Sequence, residues 1–404
     1  MARQKIGIWL IGARGGVATT ATVGLVALKK GLVGDQALVS ELPQFVDIGL
    51  KPWKDFVIGG HEIRDTSLID EAQKLCRVSH AIDERLLARC RGELAKSDEN
   101  IRPGTLVNVG KTIAGLASDD LKQLKETPAA AVARLQADLR RFAETNKLTD
   151  VVVVNVSSTE PVIDYSGMPI TWEDFAPWLD KPRKCPLSAS SLYAIAALDL
   201  GYPFINFTPS VGSTPAAIRD LAVQRKTCHM GHDGKTGETL LKSVLAPMFA
   251  KRRLEVMSWV GKNIFGNTDA VVLNNPENKK SKVDSKDRLL HEILGYSPQT
   301  LVGIDYIESL GDWKTAWDHI HFKGFLGTPM TFQFIWQGCD SLLAAPLVLD
   351  LVRFTQRAHE LGETGLLTFL ASFFKSPLDV TDQDFGRQFQ TLEDWAAKVR
   401  ESAK

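Results

Sequence analysis

The chain is expected to fold as an α/β protein, with a doubly wound parallel sheet interrupted by a smaller, β-rich α+β unit. Three observations carry that expectation. An apolar run at Ile6–Ile11 feeds a glycine turn and then a helix. Strand-like and helix-like segments alternate through the first 230 residues, whereas beyond about residue 240 strands follow one another with few helices between them. Alternation of that kind makes βαβ units and a parallel sheet, and strand after strand suits a mixed or antiparallel layer. At 404 residues the chain is also too long for one simple core.

Taken in order, Ile6–Ile11 is apolar without interruption, as a strand covered on both faces is. Gly16–Lys30 is a helix of small and aliphatic residues, and residues 31–54 form an irregular insertion containing proline and glycine. Phe56–Ile58 and Leu106–Val109 read as strands, with helical patterns at Ser67–Val78 and Glu84–Lys96 between them. Ala129–Thr145 is helical, and Val151–Val156 is the clearest buried strand. Ser188–Leu200 is an alanine-rich helix, Pro203–Phe207 a strand and Pro215–Arg225 a helix. Glu255–Val260, Ala270–Leu273, Thr300–Tyr306 and Met330–Trp336 are the strands expected of the second unit. Ser341–Leu361 and Gly365–Phe374 then return to helix. The expected division is a first unit over 1–240, an insert over 241–340, and helices over 341–404 that return to the first unit.

Lys plus Arg (48) balances Asp plus Glu (48), so no net field recruits nucleic acid or an anionic membrane. Recognition of an anion must come from a local cluster. Cys76, Cys90, Cys185, Cys228 and Cys339 are widely spaced and include no C-x-x-C pair, which argues against a disulfide framework and a structural zinc site. No apolar stretch of about 20 residues is present, so no membrane span is expected. The start M-A-R-Q-K lacks the apolar core of a secretion signal, and a cytoplasmic protein is expected.

Four segments carry chemistry. In the first, Ile6 to Thr22, a strand leads through Gly12, Ala13, Arg14, Gly15, Gly16, Val17 and Ala18 into a helix. Glycines let the backbone approach a pyrophosphate, and the helix start offers free N–H groups, so a Rossmann-type dinucleotide site is expected rather than a plain tight turn. The first acid ending a plausible second strand is Glu62 in F-V-I-G-G-H-E-I; either it meets the ribose, where a carboxylate favours NAD over NADP, or it is a surface glutamate. The second segment, G-H-D-G-K-T-G-E-T from Gly231 to Thr239, fails the P-loop spacing. Its Lys235 and Thr236 at a helix start still suit a phosphate, while His229 and His232 read better as structural residues than as a metal pair. In the third, Thr368–Leu378, Lys375 ends an apolar aromatic helix, either as a proton carrier with a lowered pKa or as a cation on the helix dipole. The fourth, Asn263–Lys286, joins an amide-rich turn to Lys279, Lys280, Lys282 and Lys286. Alone it reads as a solvated basic loop, and beside a phosphosugar it becomes a wall of ammonium groups.

Together these segments resemble the myo-inositol-1-phosphate synthase (inositol-3-phosphate synthase) family, in its compact prokaryotic or archaeal form. N-V-S-S-T-E at 155–160, S-A-S-S-L-Y-A at 188–194 and Y-P-F-I-N-F-T-P-S at 202–210 join the motifs above in carrying the resemblance. So do G-D-W-K-T-A-W-D at 311–318, C-D-S-L-L-A-A-P at 339–346 and L-A-S-F-F-K-S-P-L at 370–378. The resemblance implies isomerisation of D-glucose 6-phosphate to an inositol phosphate, with a catalytic NAD regenerated each turnover. The steps are oxidation at C5, enolisation at C6, intramolecular aldol closure onto C1 and re-reduction. It further implies proton transfer at the C5 oxygen by Lys282 and Lys375, and service of the phosphate or enolate by Lys286. Asp233, Lys235, Thr236 and Gly237 fall on the substrate, Thr236 and Gly237 at its phosphate. Asn263, Asn267 and Asp269 orient nicotinamide and sugar, with Asp269 counted among the catalytic groups. Ser158, Thr159, Asp340 and Ser341 lie by the cofactor, and a homotetramer forms through the β-rich unit.

One departure stands out. The eukaryotic pattern places a further lysine in I-K-Y, where this chain has Ile304-Asp305-Tyr306. Either Asp305 holds a divalent cation, or Lys279, Lys280 or Lys314 takes the role, or the chemistry differs. The alternatives are a dehydrogenase or cyclase acting on another sugar phosphate, and a regulatory NAD-binding paralogue without turnover.

Overall fold

In the computed structural model of this chain, residues 4–266 and 289–402 are described. A seven-stranded sheet is built from β1 (Lys5–Ile11), β2 (Phe56–Glu62), β3 (Ile101–Pro103), β4 (Leu148–Asn155), β5 (Phe204–Asn206), β6 (Cys228–Gly231) and, much later, β11 (Gly365–Leu366). Its order is β11-β6-β5-β4-β1-β2-β3, and every pair is parallel. Read from β3 this is the 3-2-1-4-5-6 order of dinucleotide-binding sheets, extended by one strand.

Both faces of the sheet are covered, which is why its strands are so apolar. Ile6, Ile8 and Leu10 of β1 point into one core, shared with α1 (Gly16–Lys29) and the long α11 (Asp340–Glu360). Trp9 and Ile11 point into the other, shared with α6 (Pro128–Asn146), α8 (Ala189–Asp199) and α9 (Ala216–Gln224). Residues Val151 to Val154 are all buried. The helices α2 (Leu68–Arg77) and α3 (Glu84–Asp98) connect β2 to β3, with Ser67 and Asp83 capping their first turns. Short helices α4 (Gly110–Gly115), α5 (Asp119–Gln123) and α7 (Trp172–Phe175) lie in the connections around α6 and β4.

A second sheet follows α10 (Gly237–Lys251), with strands β7 (Glu255–Phe265), β8 (Gln299–Tyr306), β9 (Trp313–Lys323) and β10 (Pro329–Cys339) in the order β10-β9-β7-β8. Only β7 and β8 are parallel; the other pairs run antiparallel. One face packs on α10, where Phe249 meets Trp259 and Phe322. The C-terminal helix α12 (Phe385–Ser402) returns to the first sheet's core, its Trp395 stacked flat on Phe369 at 4.2 Å between ring centroids.

Several elements differ from the sequence expectation. Leu106–Val109 is not a strand. Thr105 donates its N–H to the Tyr193 hydroxyl at 2.9 Å, and the Asn108 amide donates to the Leu187 carbonyl at 2.8 Å. Side chains thus pin that loop, and Ile101–Pro103 takes the place in the sheet. Gly365–Phe374 is not a helix but two residues of strand followed by a 3-10 turn over Thr368–Phe373. Strand β6 (C-H-M-G) is only four residues long and wholly buried, histidine included, and β9 hides its alternation because buried Asp318 stands between Ala316 and Ile320. Helix α12 falls in the region 341–404 expected to return as helices, though its own bounds were not read, and the expected strand Ala270–Leu273 lies outside the described residues.

The tightest contact in the main sheet is at Gly60. A Cβ there would lie 2.2 Å from the Leu10 carbonyl oxygen and 2.6 Å from the Ala13 Cβ. Gly60→Ala is therefore expected to push β1 and β2 apart at a cost of about 1–3 kcal/mol. A lower urea midpoint at unchanged slope is the expected result, and an unchanged midpoint would show that the strands yield freely.

Candidate active site

The C-terminal ends of β1, β2 and β4 and the loop after β5 open into a cleft of 440 Å³, closed on its other side by Phe265 and Lys314 of the second sheet and by Gly311 and Asp312 just before β9. In open α/β sheets this is where ligands bind. The glycine turn is built for close approach. Gly12 has φ +79°, and a Cβ on it would sit 2.9 Å from the Ser157 Cα. Gly12 and Ala13 both donate their N–H groups to the His61 carbonyl, at 2.9 and 3.0 Å. Gly15 donates back to the Gly12 carbonyl at 2.8 Å, and α1 begins at the next residue. Gly12, Gly15, Gly16 and Val17 line the cleft.

Three long helices start at this cleft. Gly16 of α1, Thr236 preceding α10, and Asp340 and Ser341 opening α11 all line it. A helix start presents unpaired N–H groups and the positive end of its dipole, so the wall favours anions although the whole chain has no net charge. Asp312 organises the α11 start. Its carboxylate accepts from the Ser341 N–H at 3.0 Å and the Cys339 thiol at 2.9 Å, while its carbonyl accepts from the Asp340 N–H. Burial and this carboxylate push the Cys339 thiol up to about 12, so it stays a thiol.

Two lysines face the space between. Lys375 Nζ donates to Asp233 Oδ1 at 2.8 Å, and their backbones are joined by the Lys375 N–H on the Asp233 carbonyl. Lys314 lies opposite Phe265 in the β7–β9 pairing, with Nζ 5.0 Å from that ring's centroid and 3.9 Å from Asp340 Oδ1. The back wall is tied by Glu160, whose oxygens accept from Ser188 Oγ at 2.6 Å, Ser190 N at 2.9 Å and Ser190 Oγ at 2.5 Å. Burial drives that carboxyl pKa upward despite the hydrogen bonds.

A family model described as myo-inositol-1-phosphate synthase, an NAD-binding group, matches residues 6–397. The chain belongs to the myo-inositol-1-phosphate synthase family. It is 30% identical to inositol-3-phosphate synthase 1 of Bacteroides thetaiotaomicron, over 93% of this chain and 90% of that one. It is also 30% identical to inositol-3-phosphate synthase isozyme 1 of Arabidopsis thaliana, over 86% and 73%. Among solved structures, inositol-3-phosphate synthase from Caenorhabditis elegans shares the fold, with a TM-score of 0.87 at 23% identity over 98% of this chain and 86% of that one. A myo-inositol-1-phosphate synthase-related protein from Thermotoga maritima does so at a TM-score of 0.77 and 24% identity, over 98% and 99%.

In this inositol-phosphate synthase family member the cleft gathers many of the residues singled out in the sequence. Glu62, Ser158, Thr159, Asp233, Thr236, Asp340, Ser341 and Lys375 line it together with the glycine turn. Others lie elsewhere. Ala13 and Ala18 are buried in the core, and the Arg14 guanidinium leaves the turn to meet Asp98 at 2.8 Å. Asn263 is buried and donates to Glu238, and Gly237 opens α10 without lining the cleft. Asn267, Asp269, Lys279, Lys280, Lys282 and Lys286 lie outside the described residues. Asp305 pairs with Lys262 at 2.5 Å. It stands opposite Ile264 in the register, on the sheet face away from Asn263 and Phe265, so it does not fit a cation at the cleft. Among the described residues no group of three His, Cys, Asp or Glu could hold a metal ion. Of the lysines that could stand in for the missing one, Lys314 lines the cleft, and its G-D-W-K context was the available signal, whereas Lys279 and Lys280 lie outside the described residues. His229 is structural: burial lowers it to about 3, and its Nδ1 meets Ser213 Oγ at 2.9 Å.

Lys235 requires the plainest correction. Instead of facing a phosphate it is buried, and its Nζ donates to Gln388 Oε1 of α12 at 2.5 Å. Burial lowers its pKa to about 7, against about 10.4 for a free lysine. Between those values the folded chain sheds a proton that the unfolded chain keeps, so this lysine's contribution makes stability rise with pH from about 7 to about 10. Lys235→Met removes that dependence. The thermal midpoint of the parent relative to the variant is expected to improve from pH 6 to pH 9, and identical profiles would refute it.

Proposed function

We propose that this cleft carries out the family's isomerisation, converting D-glucose 6-phosphate to 1L-myo-inositol 1-phosphate (1D-myo-inositol 3-phosphate). The chain is thereby an isomerase, an NAD-dependent inositol-3-phosphate synthase. The observation that carries the reading is the meeting, in one cleft, of a dinucleotide turn, three helix starts and the Lys314 and Lys375 ammonium groups. That set suits a dinucleotide and a sugar phosphate at once.

The cleft's glycines fit NAD because Gly12, at φ +79° and tight against Ser157, makes the turn that leaves Gly15 and Gly16 facing the cleft without side chains. Gly12 to Val17, Ser158, Thr159, Asp340 and Ser341 would hold it, and when bound it would take up the hydride from C5 and later return it. Thr236 and the α10 N–H groups take the phosphate, the chain's own compensation for a dianion. Lys375, held in place by Asp233, carries the proton at the C5 oxygen. Lys314 stabilises the oxyanion that develops as the ring closes, which is the role the aspartate at 305 cannot fill. From sequence we assign Lys282 and Lys286 to the same charged wall and Asn267 and Asp269 to orienting the sugar.

We further infer that the second sheet is the assembly surface of a homotetramer. Leu301, Trp317 and Ile335 share its outer face by register and are 65%, 38% and 69% exposed. Apolar side chains so grouped call for a second copy. No helix among the described residues is long and apolar enough to cross a membrane, and we assign the protein to the cytoplasm.

Incubated with NAD⁺ and glucose 6-phosphate, the protein is expected to form inositol phosphate, followed by phosphorus NMR, with no net NADH. Stoichiometric NADH would identify a dehydrogenase instead. Lys375→Ala and Lys314→Ala are each expected to lower kcat by about 10²–10⁴ at unchanged thermal midpoint. Full activity in either variant would remove that lysine from the mechanism. Ile335→Asp should shift the assembly to smaller species in light scattering, and an unaltered mass would move the interface elsewhere.

A further inference from the structure

At the end of β2 a carboxylate ordinarily selects NAD in two ways: it accepts from the ribose hydroxyls and repels a 2′-phosphate. Glu62 is placed for this but is already engaged. Its Oε2 accepts from the Arg14 N–H at 2.9 Å and from Arg64 Nη2 at 3.2 Å. Its Oε1 accepts from the Ile63 N–H at 2.9 Å, the Arg64 N–H at 3.1 Å and Arg64 Nε at 3.2 Å. A carboxylate offers about four lone-pair sites, so the acceptor capacity that a ribose would use is taken.

The charge is cancelled as well. Arg64 grips Glu62 with two nitrogens of its fork, a geometry lysine cannot reproduce. The Glu62 side chain is 3% exposed and lies beneath, whereas Arg64 is 23% exposed and lines the cleft. Its remaining Nη1 makes only a long contact, 3.5 Å, with Glu71 Oε2, and Glu71 is itself paired to Lys74 at 2.7 Å. Glu62 and Glu71 against Arg64 and Lys74 leave this end of the cleft without net charge. A phosphate arriving there meets an outward guanidinium rather than a bare carboxylate.

We propose that Arg64 is a specificity-determining residue that lets the cleft bind a 2′-phosphorylated nicotinamide dinucleotide alongside NAD. The Arg64 fork keeps Glu62 and exchanges its long contact with Glu71 for the 2′-phosphate. NAD needs no such contact, because the pyrophosphate at the glycine turn anchors both dinucleotides. The inference rests on the reading that this cleft holds a nicotinamide dinucleotide, and it replaces the sequence expectation that Glu62 excludes NADP.

Isothermal titration of the intact protein with NAD⁺ and with NADP⁺ tests it without reference to turnover. The two Kd values are expected within about tenfold of one another, about 1.4 kcal/mol. Arg64→Ser should weaken NADP⁺ by roughly 10–100-fold, the scale of one charge-assisted contact, while NAD⁺ stays within about twofold. Arg64→Lys should restore part of the loss. NADP⁺ binding more than about 100-fold weaker than NAD⁺ in the parent protein would overturn the inference and leave the function intact. Equal weakening of both dinucleotides by Arg64→Ser would overturn it too, as a purely structural effect. Failure of both dinucleotides to bind the parent would overturn the functional reading with it.

Discussion

The His61 carbonyl is the fixed point of the cleft. It receives the N–H groups of both Gly12 and Ala13, and this fork bends the chain out of β1 and aims α1 at the ligand. The His61 ring is held just as firmly. Trp9 Nε1 donates to its Nδ1 at 2.9 Å, so Nδ1 is the bare nitrogen and Nε2 carries the proton toward Asp138 at 3.3 Å. Burial keeps the imidazole pKa below its ordinary value, and a neutral ring suits a site that must not add another cation. Because Glu62 is the next residue, locking His61 also sets where that carboxylate can reach. The turn, the helix direction and the ribose end of the cleft are thus one construction.

Around it the site is assembled by helix starts rather than by accumulated positive charge. A chain with equal numbers of acids and bases can still present a local anion site when backbone N–H groups supply the field. The lysines add to that field from opposite sides, Lys375 from the segment after β11 and Lys314 from β9. Each is steadied by an aspartate close by, Asp233 in one case and Asp340 in the other. The ammonium groups are therefore placed before any ligand arrives, which is what makes electrostatic stabilisation of a transition state effective.

The parallel sheet was legible because burial on both faces leaves an unmistakable mark, as at Val151–Val154. What sequence patterning missed shares a cause: polar residues in buried strand positions. Asp318 in β9 receives the Trp259 indole N–H at 2.7 Å and interrupts that strand's apolar face, and β6 is only four residues long with buried His229, whose Nδ1 meets Ser213 Oγ, inside it. Lys235 misled for the complementary reason. Composition placed it in a phosphate-like turn, but direction is set by tertiary packing, and the side chain turned toward Gln388. Glu160 and its serines were visible only as two separate motifs, because hydrogen bonds between segments 28 residues apart leave no trace in spacing. For the cleft, the glycine turn, Thr236, Asp340 and Lys375 were legible, while Lys314 became decisive only once β9 was seen to run past Phe265.

The late return of the chain to its first sheet bears on how the protein is made. Strand β11 pairs with β6 through only two residues, yet these follow the entire second sheet and α11 in synthesis. Until they leave the ribosome, β6 is a bare edge with unpaired backbone groups, the sort of surface that recruits stray strands. Lys375 emerges only a few residues later, in the same stretch that seals the edge. A chain released early would therefore lack both the closing strand and Lys375. The closing strand and Lys375 arrive together, and the exposed β6 edge is what a chaperone would have to guard in the meantime.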